Sequence, residues 1–84
     1  KTIVPVKLAL YEGDRLVSRS QARRILNRVE KFRYVIFDFD SVDSIGQAFA
    51  DEVFRVFATA HPHIVIEAVN AVENVEKMIK RAKS

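Results

Sequence analysis

Residues Val35 to Phe57 form the most constraining stretch of the chain. An apolar strand, Val35-Ile-Phe-Asp-Phe39, runs into an acidic turn, and the turn opens directly into an amphipathic helix. A strand–turn–helix junction of this kind gathers backbone N–H groups and carboxylates at the carboxyl end of a strand, where α/β proteins usually keep their working surface. The segment therefore points to an α/β fold and to the place where function is to be sought.

The flanking sequence completes that fold. Val4, Val6, Leu8 and Leu10 alternate with other residues between Thr2 and Tyr11, which predicts a first strand. Pro5 lacks a backbone donor, so this strand belongs at an edge or carries a bulge. Glu12-Gly13-Asp14 reads as a turn, and Arg15-Leu16-Val17 as a short second strand or an extended lead into a helix. Ser18-Arg19-Ser20-Gln21 fits a capping box that starts the first helix. Ala22, Ile25, Leu26, Val29 and Phe32 form its buried stripe, and Arg19, Arg23, Arg24, Arg28 and Lys31 its wet face.

Tyr34 to Phe39 is almost continuously apolar, as expected of a central strand covered on both faces. A second helix is predicted from Gly46 to Ala60, with Phe49, Val53, Val56, Phe57 and Ala60 on one face and Phe54 beside it. His61-Pro62 ends it, because the residue before proline is driven out of the helical region. Ile64 to Val69 reads as another buried strand, and Asn70 as the cap of a last helix through Val72, Val75, Met78, Ile79 and Ala82. The order β(β)αβαβα favours a small mixed, mainly parallel sheet of about four strands with three helices on one main face.

The 84 residues make a single domain, and the chain opens on Lys1 rather than Met, as a trimmed protein or one domain of a longer chain would. A hydrophobic content of 49% is ample for a core, and the absence of cysteine removes disulfides, thiolate metal sites and a cysteine nucleophile. No apolar run reaches the ~20 residues of a membrane span and no secretory leader pattern is present, so a cytoplasmic protein is expected. Net charge is +3, unevenly spread: Asp38 to Glu52 holds five acids and no base, whereas Arg15 to Arg33 holds seven bases against Glu30 alone. That polarity can steer a partner of opposite sign.

Leu16 to Ala82 resembles the STAS-like domains of bacterial proteins. The resemblance is carried by Leu16-Val17-Ser18-Arg19-Ser20-Gln21-Ala22-Arg23-Arg24, by Val35-Ile-Phe-Asp-Phe39, by Ile45-Gly46-Gln47-Ala48-Phe49-Ala50-Asp51-Glu52 and by Val69-Asn70-Ala71. More distantly the layout is similar to the STAS domains of sulphate transporters and anti-sigma-factor antagonists. In the antagonists an Asp-Ser pair lies in the corresponding turn, and its Ser is phosphorylated by a partner with a histidine-kinase-type ATPase fold. Aligning Val42 and Ile45 with the apolar positions of that turn puts Gly46 on the Asp and Gln47 on the Ser. Gln47 has no hydroxyl, so the resemblance implies the same surface without the same phosphorylation switch. It implies a non-enzymatic, regulatory interaction domain whose partner is an ATPase or a transcription regulator.

Candidate residues follow from both lines. Asp43, Ser44, Gly46, Gln47, Asp51 and Glu52 are the expected partner-binding set. Ser41 and Ser44 lie out of the phosphorylation register and suit turn and cap hydrogen bonds. Asp38, Asp40, Asp43, Asp51 and Glu52 have the oxygen chemistry for Mg²⁺, but a structural role, with Asp51 and Glu52 at the positive end of the helix dipole, explains them without a metal. His61 and His63 lack further ligands for zinc, so neither metal nor cofactor is expected. The alternative function is nucleic-acid contact through Arg19, Arg23, Arg24 and Arg28. A third possibility is a homodimer through an exposed edge strand.

Overall fold

The computed structural model describes residues 2–9 and 15–84. β1 (Thr2–Pro5), β2 (Tyr34–Asp38) and β3 (Val65–Val69) form one sheet in the order β1-β2-β3, with both pairs parallel. Consecutive strands are neighbours, so each connection crosses over and carries a helix. α1 (Arg19–Leu26) makes the first crossover. The second is a rod over residues 47–60, in which α2 (Gln47–Asp51), a π turn (Glu52–Phe57) and α3 (Ala58–Ala60) run end to end. α4 (Glu73–Lys83) follows β3. The fold is therefore α/β, and among the described residues the sheet is parallel with three strands rather than four.

The missing strand has a physical reason. Leu16 is buried and its carbonyl accepts from the Gly46 N–H at 2.6 Å. That bond ties Arg15-Leu16-Val17 to the start of α2, so the segment is a lead into α1 and not a strand. β1 is also shorter than its alternation predicts. It ends at Pro5, and Val6–Ala9 coils into a 3₁₀ turn that puts Val6 wholly inside. Leu10, Tyr11 and the Glu12-Gly13-Asp14 turn lie outside the described residues. β1 is an edge strand, the position that Pro5 requires.

α1 starts as its sequence dictates. Ser18 is the N-cap, its Oγ accepts from the Gln21 N–H at 3.1 Å, and Gln21 Oε1 accepts from the Ser18 N–H at 3.0 Å. Ala22, Ile25, Leu26 and Val29 are buried against the sheet and the rod. In the rod, the wide π turn brings Phe54 round to join Phe49, Ala50, Val53 and Phe57 inside. Phe54 meets Phe37 edge-on at 6.3 Å and Phe39 at 6.4 Å between ring centres. Val56 is half-buried and Ala60 exposed, so the buried face is rotated from the one that a regular helix would present. The rod stops at His61.

The helices cover one face of the sheet. Val35 and Phe37 are buried there, whereas on the other face Ile3 is 62% and Val65 50% exposed. β2 is thus covered on one side only among the described residues, and β3 is an exposed edge strand rather than a buried one. Asn70 is not the cap of the last helix. It adopts φ 58°, and Val72 occupies the N-cap of α4.

Gly46 sets the spacing of the two crossovers. A Cβ at this position would lie 2.8 Å from Val17 Cα, a backbone atom that cannot swing away. Gly46→Ala is expected to lower stability by about 1–3 kcal/mol through this overpacking. Chemical denaturation measures it, and an unchanged midpoint would contradict the close approach.

Candidate functional site

The carboxyl end of the sheet is organised by Asp38, the last residue of β2. Its Oδ1 accepts from the Asp40 N–H and from Asn70 Nδ2, both at 3.0 Å. The Asn70 amide, followed by the Asp40 N–H, holds the Asp38 carboxyl below its ordinary range. The left-handed backbone of Asn70 aims its side chain at Asp38 and so ties the ends of β2 and β3 together. Asparagine tolerates that conformation well.

Beyond Asp38 the chain turns. Val42 N–H bonds to the Phe39 carbonyl at 3.0 Å, and Ser41 is left-handed at φ 65°. Lys7 Nζ donates to the Ser41 carbonyl at 3.1 Å, bringing the segment after β1 onto the turn. Val42 and Ile45 are buried, and between and beside them Ser41, Asp43 and Ser44 are exposed. The apolar pair anchors the turn and the polar residues face solvent. They border an open cleft of about 420 Å³, which Lys7 and Arg15 border as well and which ends at Gly46. A smaller hollow of about 200 Å³ lies beside Lys7, against Asp38, Asp40 and Pro5. Gln47 is exposed at the first position of α2.

Asp51 and Glu52 have a different role. Arg19 reaches across from α1 to Asp51 at 2.6 Å and to Glu52 at 3.4 Å, and Arg23 approaches Glu52 at 3.4 Å. Arg55, one turn along the rod, forks onto Asp51 through Nε and through Nη2, the latter at 2.7 Å. Hydrogen bonds from Arg55 and then Arg19 hold the Asp51 carboxyl well below the usual carboxylate range. The same bonds raise the Arg19 and Arg55 guanidinium groups. Glu52 is only 6% exposed, and a carboxylate so deep needs a cation beside it.

The expected residues therefore separate. Asp43, Ser44 and Gly46 border the cleft with Gln47 next to it, whereas Asp51 and Glu52 are committed to α1. Arg19 and Arg23 are the cations that they hold. α1 ends at Leu26, short of the predicted stripe to Phe32, so Arg24 is exposed on α1 and Arg28 is exposed in the turns that follow it. Lys7 and Asn70 enter the site although their sequence pattern gave no sign of it, since each acts on a residue more than thirty positions away. No group of three or more His, Cys, Asp or Glu gathers in metal-binding geometry among the described residues. His61 and His63 instead continue a ring stack from Phe57, with centres 4.3 and 5.9 Å apart. Among the described residues no helix is long and apolar enough to cross a membrane.

The Asp51 ion pairs make a pH-dependent contribution. The folded carboxyl titrates below its unfolded value of about 3.9. Its contribution is complete above that value and is lost as pH falls through it toward the lower folded value. Asp51→Asn is expected to flatten the fall in Tm below about pH 4, relative to the native chain, in thermal melts. Parallel curves for the two proteins would refute the ion-pair assignment.

The family profile described as STAS-like domain of unknown function (DUF4325) matches residues 21–76, about two thirds of the chain. The matched segment runs from the capping box of α1 through β2, the turn, the rod and β3 into α4. It leaves out β1, and also Lys7 and Arg15, which are among the residues that line the cleft. No curated protein and no solved structure matches the chain. With the parallel sheet, the capped first helix and the anchored turn in place, the chain belongs to this STAS-like family.

Proposed function

We propose that this STAS-like domain is a non-enzymatic, regulatory protein-interaction module that recognises a protein partner through the turn after β2. One observation carries the reading. Val42, Ile45 and Gly46 pin the turn from inside, and Ser41, Asp43, Ser44 and Gln47 are presented outward around an open cleft. A rigid base with exposed polar groups above it binds without a large ordering cost. Lys7 and Arg15 line the same cleft as Asp43 and give it both signs of charge, which orients a partner carrying both signs.

The partner class drawn from the family likeness is an ATPase of the histidine-kinase type or a transcription regulator. The turn offers Gln47 in place of a phosphorylatable serine, so association is governed by complementarity and not by modification at that position. Nucleic-acid contact is disfavoured by the ion pairs. Arg19 and Arg23 face Asp51 and Glu52, so half of the proposed basic stripe is already neutralised, and phosphate binding depends on uncompensated cations.

Affinity capture with quantitative mass spectrometry tests the reading, using the native chain, Asp43→Lys/Gln47→Arg, and Lys80→Glu on the far helix α4. The expected result is a regulator or ATPase retained by the native chain and by Lys80→Glu and lost from the double variant. Equal retention by all three overturns the turn as the surface, and the absence of any specific protein overturns the interaction reading.

A further inference from the structure

The two edges of the sheet are not equivalent. In β3 the Val65 N–H donates to the Arg33 carbonyl at 2.8 Å, and the Val69 carbonyl accepts from the Phe39 N–H at 3.0 Å. The N–H and C=O of one residue in a strand point to the same side, and successive residues alternate. Val65, Glu67 and Val69 therefore address β2, and Ile66 and Ala68 direct their backbone groups outward. The sheet ends there, because β3 has no neighbour beyond β2 among the described residues.

Exposed edges are normally blunted by proline, lysine, bulges or short length. β1 has two of these devices: it is four residues long and carries Pro5. β3 has neither proline nor lysine over Val65-Ile-Glu-Ala-Val69. Its one charge, Glu67, accepts a hydrogen bond from the Tyr34 hydroxyl on β2, which draws the carboxylate inward over the sheet and away from the edge.

We propose that the β3 edge pairs with the β3 edge of a second copy of this chain, giving a continuous six-stranded sheet. Two copies presenting the same edge about a two-fold axis must run antiparallel. Opposed residues share a face of the sheet, so one residue lies opposite itself. With Glu67 on the axis the whole strand is matched: Val65 faces Val69 of the second copy, and Ile66 faces Ala68. Each Ile66–Ala68 pair then exchanges its two outward N–H and C=O groups. An axis at Ile66 or Ala68 would leave one end of the strand unpaired. The sequence of the strand read backwards, apolar–apolar–Glu–apolar–apolar, fits itself, and this selects a second copy over a foreign strand. The two Glu67 residues oppose each other across the axis. Although Tyr34 draws each carboxylate back over its own sheet, their like charges still oppose association, so Glu67 tunes the strength of the dimer.

Sedimentation velocity of the native chain over rising concentration is expected to show a reversible monomer–dimer equilibrium. Ala68→Pro deletes an outward N–H and leaves the β2 ladder intact, and Val65→Lys places a charge on the edge from an exposed position. Both are expected to be monomeric with native circular dichroism, and Val65→Lys decides the matter if the proline variant does not fold. Glu67→Gln is expected to tighten the dimer about two- to fivefold. A native chain that is monomeric up to about 1 mM, a dimer that survives Val65→Lys, a Glu67→Gln dimer no tighter than the native one, or open-ended aggregation in place of a dimer would each overturn the proposal.

Discussion

The approach of Gly46 to Val17 is the constraint on which the arrangement of the helices rests. The Leu16 carbonyl and the Gly46 N–H meet at 2.6 Å, and only a residue without a Cβ permits that distance. Ser18 caps α1 two residues after Leu16, and α2 begins one residue after Gly46. The single backbone bond therefore starts both helices side by side. Arg19 in the first turn of α1 then stands within reach of Asp51, one turn into the rod, and Arg23 lies over Glu52. The ion pairs are a consequence of the backbone contact rather than its cause.

That ordering explains how the charge polarity of the chain is used. Much of it is spent internally, between the basic face of α1 and the acids at the start of the rod. Pairs in which the arginine is largely solvated contribute little net stability. Glu52 is different, because an unpaired carboxylate at 6% exposure would be strongly destabilising. The arginines thus protect a buried acid and fix the register of α1 on the rod. The π turn begins at this same Glu52. Its wider winding turns Phe54 inward onto Phe37 and Phe39, and Lys83 of α4 closes over the same ring with Nζ 5.7 Å from its centre. The π turn therefore carries both the ionic contacts of Glu52 and the aromatic contacts of Phe54.

Features set by neighbours in sequence were legible. The capping box at Ser18, the start of the rod after Gly46, its end at His61-Pro62 and the edge position of Pro5 each follow from backbone chemistry within a few residues. What was illegible depends on distant partners. The run Tyr34 to Phe39 has the apolar content of a strand covered twice, yet periodicity cannot say whether any element lies on the second face, and Ile36 is only half-buried. Asn70 suits a cap and a left-handed turn equally, and the choice is made by Asp38, thirty-two positions away. Asp43 and Ser44 are exposed in the turn, as its polar composition suggests, whereas Asp51 and Glu52 turn to α1, and nothing in the local sequence marks their carboxylates for the arginines opposite. The π turn has no local signature at all; a regular period places Val56 and Ala60 inside and leaves Phe54 at the margin.

The residues that line the cleft differ in how firmly they are held. Asp43 and Ser44 sit on a turn fixed by two buried side chains, by the Gly46 contact and by the Asp38–Asn70 tie that locks β2 to β3. Lys7 is carried past the end of a four-residue edge strand and reaches the turn through its bond to the Ser41 carbonyl. Tyr34 and Glu67 brace β2 against β3 a second time, and their hydrogen bond raises the Tyr34 phenol above its ordinary range. β1 is held to β2 by the parallel ladder Thr2 to Pro5 and by the burial of Val6. Among the described residues the side chain-to-side chain ties between strand ends thus join β2 to β3. An ammonium on a long flexible stem can leave the Ser41 carbonyl for a better anion at small cost. Lys7 is therefore the more adjustable border of the cleft, and the anchored turn the firmer one.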